Sequence, residues 1–246
     1  RPSVATVWSL PGRLQPWVSP RLPAGGWGRR LRLAGSAYAV ATGSHIARGA
    51  LAPWLARRNL EAIPPGFDPA PADDFLRSLP RPAARSRLGV AEGEFLVICC
   101  DPPRARTEAA AAVETLRRNG RGAIRLVFPD DHPSERRAWF AAADLLASHL
   151  PDQPWPRFTL EARAFALPVV AAYGTNEQVV ADNRGMTYPL GDSDALAGCI
   201  ARAADDPDLR SRMGRQGRWW LESLARPDDT ADAFARLLIE ASELSA

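Results

Sequence analysis

The sequence predicts an α/β fold organised as a doubly wound parallel sheet, and three observations carry that expectation. From residue 95 onward, short continuously apolar runs of strand length recur along the chain. Between them lie stretches of helical composition with start and stop signals, the alternation expected of parallel strands joined by crossover helices. The chain has 246 residues, 46% of them apolar and 24% charged, enough to bury a large core and too apolar for a disordered or fibrous protein. Its longest apolar runs, such as Phe95 to Cys100, fall far short of the roughly 18 residues that a membrane span requires.

Taken in order, Ser3 to Val7 is strand-like and residues 11–30, with four prolines and four glycines, read as a loop. Ser36 to Thr42 predicts a strand, His45 to Arg57 a helix, and Leu60 to Ile63 a short strand. Pro64-Pro65-Gly66 breaks the chain, and 69–87, rich in Pro, Ala and Arg, has the composition of an interdomain connection. Phe95 to Cys100 then reads as a buried strand. The alanine-rich stretch Thr107 to Arg118 is a helix stopped by Asn119-Gly120. Ala123 to Phe128 is a strand halted by Pro129, and Ser134, after Pro133, is the expected N-cap of a helix reaching Ala142. Strand Asp144 to Ser148, helix Thr159 to Ala166 and strand Pro168 to Ala172 follow. The last third is helical, over Asp192 to Ala204, Leu209 to Leu224 and Thr230 to Ser242. No internal repeat is visible.

Charge and cysteine usage exclude several functions. The formal net charge is +3, and all 31 basic residues are Arg, with no Lys. They alternate with acids, as in Glu135-Arg136-Arg137 and Asp208 to Arg212, instead of clustering with stacking aromatics as a nucleic-acid face would. Of the three cysteines, Cys99 and Cys100 sit in an apolar run and Cys199 stands alone, which gives no disulfide framework and suits a reducing cytoplasm. No Gly-x-Gly-x-x-Gly follows a strand, which argues against a nicotinamide-dependent oxidoreductase. A chain opening at Arg1 directly on a strand-like run is expected to comprise one complete domain and the tail of another.

The most informative segment runs from Gln153 to Val170. It is a loop leaving a strand, a helix start bearing Glu161, and a Pro-led strand. Open α/β sheets bind ligands at the carboxyl ends of their strands, and a new helix there offers N–H groups to an anion. Glu161 can accept two hydroxyls, as a ribose diol presents them; alternatively it balances its own helix dipole.

Several segments, in order, resemble family 4 of the retaining, nucleotide-sugar-dependent glycosyltransferases. Phe140-Ala-Ala-Ala-Asp144-Leu-Leu-Ala-Ser148 is similar to that family's approach to the site. Glu161-Ala-x-Ala-Phe-Ala-x-Pro-Val-Val resembles its Glu-Ala-x-Ala-x-Gly-x-Pro-Val-Val. Gly174-Thr-Asn-Glu177 resembles its Gly-Gly-x-x-Glu turn, followed by Gly185 and Gly191-Asp192-x-Asp194-Ala-Leu. Asp206-Pro207 through Met213-Gly214 to Gly217-Arg218 resembles the next helix. Upstream, Ile63-Pro64-Pro65-Gly66-Phe67-Asp68 is similar to the family's interdomain hinge, and Ala37 to Ser44 to the strand before it.

The resemblance implies a GT-B fold, in which two Rossmann-like domains flank the reaction. Residues 1–68 would be the C-terminal part of the acceptor-side domain, 69–87 the linker, 88–228 the nucleotide-sugar domain, and 229–246 a helix crossing back. Glu161 occupies the position that holds the ribose hydroxyls, and Gln153 the position of a glutamate that contacts the transferred sugar, so these two are the catalytic candidates. Arg104 and Arg106 would meet the diphosphate with Phe158, Thr159 and the start of their helix, while Gly174 and Glu177 border the sugar. The implied donor is a UDP-, GDP- or similar nucleotide sugar, with no metal or other cofactor. The acceptor is an unknown glycan, lipid or small molecule, such as a cell-envelope polysaccharide. The location implied is the cytoplasm, at the inner face of the membrane if the acceptor-side domain touches it.

Three departures stand against the family pattern. Gln153 lacks the charge of a glutamate, Pro156 replaces a glycine and has no N–H for a phosphate, and Trp8 stands where the family has a histidine. None of His45, His132 or His149 replaces it. Two readings follow: a sugar transferase, or an inactive transferase-like domain that binds a nucleotide or a protein.

Overall fold

The computed structural model describes residues 4–7, 39–42, 59–63, 66–101, 106–148, 157–172, 184–224 and 226–243. The chain divides into two compact units, one of residues 1–67, 152–155 and 225–246, the other of 68–151 and 156–224. In the first unit β1 (Val4–Val7), β2 (Ala39–Thr42) and β3 (Asn59–Ala62) form a parallel sheet in the order β1-β2-β3. Val4 lies opposite Ala39, and Ala39 opposite Asn59. The expected 11–30 loop and 45–57 helix lie outside the described residues.

The second unit opens with α1 (Ala70–Ser78) and α2 (Arg81–Arg87). The stretch expected to be an interdomain connection therefore folds into two helices. Pro69 precedes the first, and prolines sit in the opening turn of both, where a missing N–H costs nothing. Phe75, Leu76 and Leu79 pack on the core, and Ala84 is fully buried. The elements that follow are β4 (Phe95–Ile98), α3 (Arg106–Arg118), β5 (Ile124–Val127), a single 3₁₀ turn (Pro129–Asp131), α4 (Arg136–Ala142) and β6 (Leu145–Ser148). Then come α5 (Arg157–Ala164), β7 (Val169–Ala172), β8 (Gly185–Tyr188), α6 (Ser193–Asp205) and α7 (Pro207–Leu224). Ser134 does not cap α4, whose N-cap is Glu135, one residue later than expected, without any side-chain cap bond.

All five strands of this unit are parallel, in the order β5-β4-β6-β7-β8. Alternate residues point to opposite faces. Leu96, Ile98, Leu146, Val169 and Ala171 join Trp139, Phe140 and Ala162 on one side. Phe95, Val97, Leu145, Ala147 and Val170 join Val113, Leu116, Leu196 and Ile200 on the other. The sheet is thus covered on both faces, which is why β4 and β7 are apolar throughout and β6 is apolar up to its last residue, Ser148. Asp192 caps α6 by accepting from the Ala195 N–H at 2.8 Å, and Asp206 accepts likewise from Leu209 in the first turn of α7.

The last helix, α8 (Pro227–Glu243), belongs to the first unit. Its Leu237 is fully buried against Ile63, with Ala233 and Phe234 beside them, and Arg236 pairs with Glu61 at 3.3 Å.

Candidate functional site

From β4 the chain steps out to β5 and then returns past β4 to β6, so the order reverses between β4 and β6. A crevice outside the carboxyl ends of such strands is where open α/β sheets place ligands. Here the two strand ends meet through Asp101 and Ser148, both buried, with the Ser148 hydroxyl 3.5 Å from Asp101 Oδ1. The Cys99 thiol also reaches Asp101, 3.6 Å from Oδ2. Burial first, and then the charge of Asp101, pushes the Cys99 thiol up; burial and Asp130 do the same to Cys100. Both cysteines are therefore inert thiols at neutral pH.

Two arginines stand at this edge. Arg106, the first residue of α3, donates through Nε to the Asp101 carbonyl at 2.9 Å. Its Nη1 lies 2.8 Å from each carboxylate oxygen of Asp131, in the turn that follows β5. The guanidinium also sits 4.6 Å from the centre of the Phe128 ring. Arg136 opens α4; its Nη2 is 3.9 Å from Glu161 Oε2 and its Nη1 4.0 Å from Asp130. Its guanidinium faces the Phe158 ring at 5.6 Å.

Glu161 lies in the second turn of α5 and is 7% exposed, an acid drawn into the unit next to one cation. Its neighbours Leu160 and Ala162 are core residues, which fixes the helix and directs the carboxylate to the Arg136 side. Thr159 is fully buried. The structure thus brings Arg106, Phe158 and Glu161 to the same edge of the sheet. Arg104, Gln153, Gly174 and Glu177, with Trp8 and Pro156, lie outside the described residues.

Asp101, Asp130, Asp131 and Arg136 escaped the sequence reading as site residues. The signal was available for two of them, since Pro129-Asp130-Asp131 directly follows a strand whose carboxyl end lies at the crevice. Asp144, read in the approach to the site, is elsewhere. It sits before β6 at the opposite edge, where it accepts from the Leu96 N–H at 2.8 Å and from Arg81 and Arg85 at 2.6 and 3.0 Å. A cavity of 530 Å³ lies at that amino edge, lined by Arg85, Arg121, Arg210, Phe95 and Asp144 among others. Its arginines have other work. Helices end here and leave carbonyls unpaired; Arg210 donates to those of Ala203 and Ala204 and Arg85 to that of Ala142, and Arg85 also donates to the Glu94 carbonyl in the turn before β4.

Among the described residues no cluster of His, Cys, Asp and Glu could hold a metal ion. No described helix is long and apolar enough to cross a membrane.

No protein-family model matches the sequence, and no curated protein matches it. Solved structures do. Sucrose-phosphate synthase from Thermosynechococcus elongatus is similar with a TM-score of 0.71 and 20% identity, over 98% of this chain and 68% of that one. Anabaena HepE, in complex with UDP and glucose, gives a TM-score of 0.71 and 19% identity, over 97% and 71%. WaaG, a glycosyltransferase involved in lipopolysaccharide biosynthesis, gives 0.62 and 16%, over 94% and 74%. The chain has the GT-B fold of these glycosyltransferases.

Proposed function

We propose that this chain is a glycosyltransferase that moves a sugar from a nucleoside-diphosphate sugar to an acceptor with retention of configuration, in the manner of family 4. The observation that carries the reading is Glu161: a buried carboxylate on α5, at the switch-point edge of the sheet, in a fold shared with glycosyltransferases. The HepE complexes with UDP and with UDP-glucose support a nucleotide sugar as the donor.

In this reading Glu161 accepts the ribose hydroxyls, and Arg106 and Arg104 take charge from the diphosphate with the α5 N-terminus. Front-face attack assisted by the leaving diphosphate makes negative charge on the leaving group the thing to stabilise, and fixed cations do that without a protein nucleophile. Gln153, Gly174 and Glu177 would line the sugar, and no metal is needed. The acceptor is a glycan, lipid or small molecule met at the cytoplasmic side.

Calorimetric titration with UDP and GDP tests this. Charge-assisted hydrogen bonds are worth roughly 1.5–3 kcal/mol each, so Glu161→Ala should weaken nucleotide binding at least about ten-fold. Failure of the wild-type chain to bind any nucleoside diphosphate would count against the reading. One observation favours the second reading, a binding module without turnover: both described site arginines already face carboxylates. Nucleotide binding with neither transfer nor donor hydrolysis would select it.

A further inference from the structure

We infer that Asp131 is an internal anion that occupies Arg106 in place of the donor's diphosphate, and that this ion pair sets donor affinity. The inference rests on the nucleotide-sugar reading above and concerns how that site is tuned.

The two partners are held very differently. The Arg106 side chain is 15% exposed and tied down on two further sides, by the Asp101 carbonyl and the Phe128 ring. The Asp131 side chain is 54% exposed and ends a one-turn helix at the surface. When the pair opens, the arginine stays and the carboxylate swings into water. Both carboxylate oxygens contact one guanidinium nitrogen, which is a geometry that two phosphate oxygens can reproduce. With its carboxylate more than half exposed, the pair contributes only about 1 kcal/mol, so a diphosphate can displace it, yet the displaced carboxylate remains nearby and repels the ligand. The same turn carries Asp130 towards Arg136. It therefore sets the charge seen by both arginines.

The test is calorimetric titration of wild type, Asp131→Asn, Arg106→Ala and the double variant with UDP, GDP and inorganic pyrophosphate, at low and at about 0.3 M salt. Asp74→Asn, an exposed acid on α1 that pairs with Arg77, controls for net charge. Asp131→Asn should bind pyrophosphate and nucleotides about ten-fold tighter at low salt, with an unchanged melting temperature. The gain should vanish without Arg106 and be absent in Asp74→Asn. Equal or weaker binding by Asp131→Asn, or a gain that survives Arg106→Ala, overturns the inference. Tighter pyrophosphate binding by Asp131→Asn with no binding of UDP or GDP to either protein overturns the nucleotide reading and, with it, the effect on donor affinity, while upholding Asp131 as the anion that masks Arg106. No binding of any probe to wild type or Asp131→Asn overturns both.

Discussion

Arg163 shows how much of this protein is decided two residues away from its candidate site. It follows Glu161 on α5 but faces the opposite way, fully buried, with Nη1 donating to the carbonyls of Arg184 and Met213. Its Nε and Nη2 find no partner among the described residues. A notch at Gly217 receives it: a Cβ there would lie 2.8 Å from the guanidinium carbon. Burial, and then the charge of Arg184, pushes the Arg163 pKa down to about 9, so the group still enters neutral solution as a cation. A buried cation with no carboxylate partner among the described residues is costly, and replacement by an apolar chain of similar length removes that cost. Arg163→Met should therefore stabilise the fold by about 1–2 kcal/mol at neutral pH in urea denaturation. The sign with pH follows from linkage. Because the folded pKa lies below the unfolded one, the folded state binds fewer protons above about pH 9, and wild-type stability rises there relative to the variant. The gap between the two should be full below pH 9 and narrow above it. Nothing in the sequence announced this residue, which stands at an unspecified position of the Glu-Ala-x-Ala pattern. That Glu161 and Arg106 would reach one edge of the sheet was legible, because each lies near a helix start that follows a strand. Their partners were not, since Arg106 and Asp131 are 25 residues apart and only the pairing of β4 with β5 brings them together.

Three helices of the second unit end in the same hydrogen-bond pattern, and one of them does so with the wrong residue. After α2, Gly89 N–H reaches the Ser86 carbonyl and Val90 N–H that of Arg85. After α3, Gly120 reaches Arg117 and Arg121 reaches Leu116; after α5, Ala166 reaches Arg163 and Leu167 reaches Ala162. This Schellman closure puts its penultimate residue in the left-handed region. The φ values are 62° at Gly89, 83° at Gly120 and 52° at Ala166. For alanine that conformation costs roughly 1–2 kcal/mol, partly offset by the lower unfolded-state entropy of alanine. Ala166→Gly, which places there the residue that the two other closures use, should stabilise the unit by about 0.5–1 kcal/mol and raise its melting temperature by about 1–4 °C. Gly120→Ala should do the reverse in the same scan. Elements were legible where one physical signal dominated. β4, β6 and β7 are buried on both faces and so read as apolar runs. β8 was missed because it is an edge strand, Gly-Met-Thr-Tyr, with only its last residue buried. The 70–87 helices were missed because proline-rich composition resembles a linker, although those prolines fall in first turns, where helices accept them.

At the scale of the whole molecule, sequence identities of 20% or less accompany TM-scores of 0.62 to 0.71 in the matches described. What persists is the alternation of buried strands and covering helices, which many side-chain sets satisfy. The two units draw on the chain differently. The second is made almost entirely from one stretch, whereas the first needs its beginning, residues 1–67, and its end, 225–246. The described tie within the first unit is small: Leu237, fully buried, on Ile63 at 2% exposure, with the partly exposed Arg236–Glu61 pair at its side. An exposed pair contributes little, so the apolar contact dominates. Truncating a buried leucine to alanine costs roughly 2–4 kcal/mol, a large share of what a small unit has to lose. Leu237→Ala should therefore release α8 and open the first unit while sparing the second. Hydrogen exchange read by mass spectrometry checks this, with protection lost in peptides covering 59–63 and 227–243 and kept in those covering β4, β6 and β7. If protection falls in both sets together, the units do not unfold independently and the chain behaves as one cooperative body.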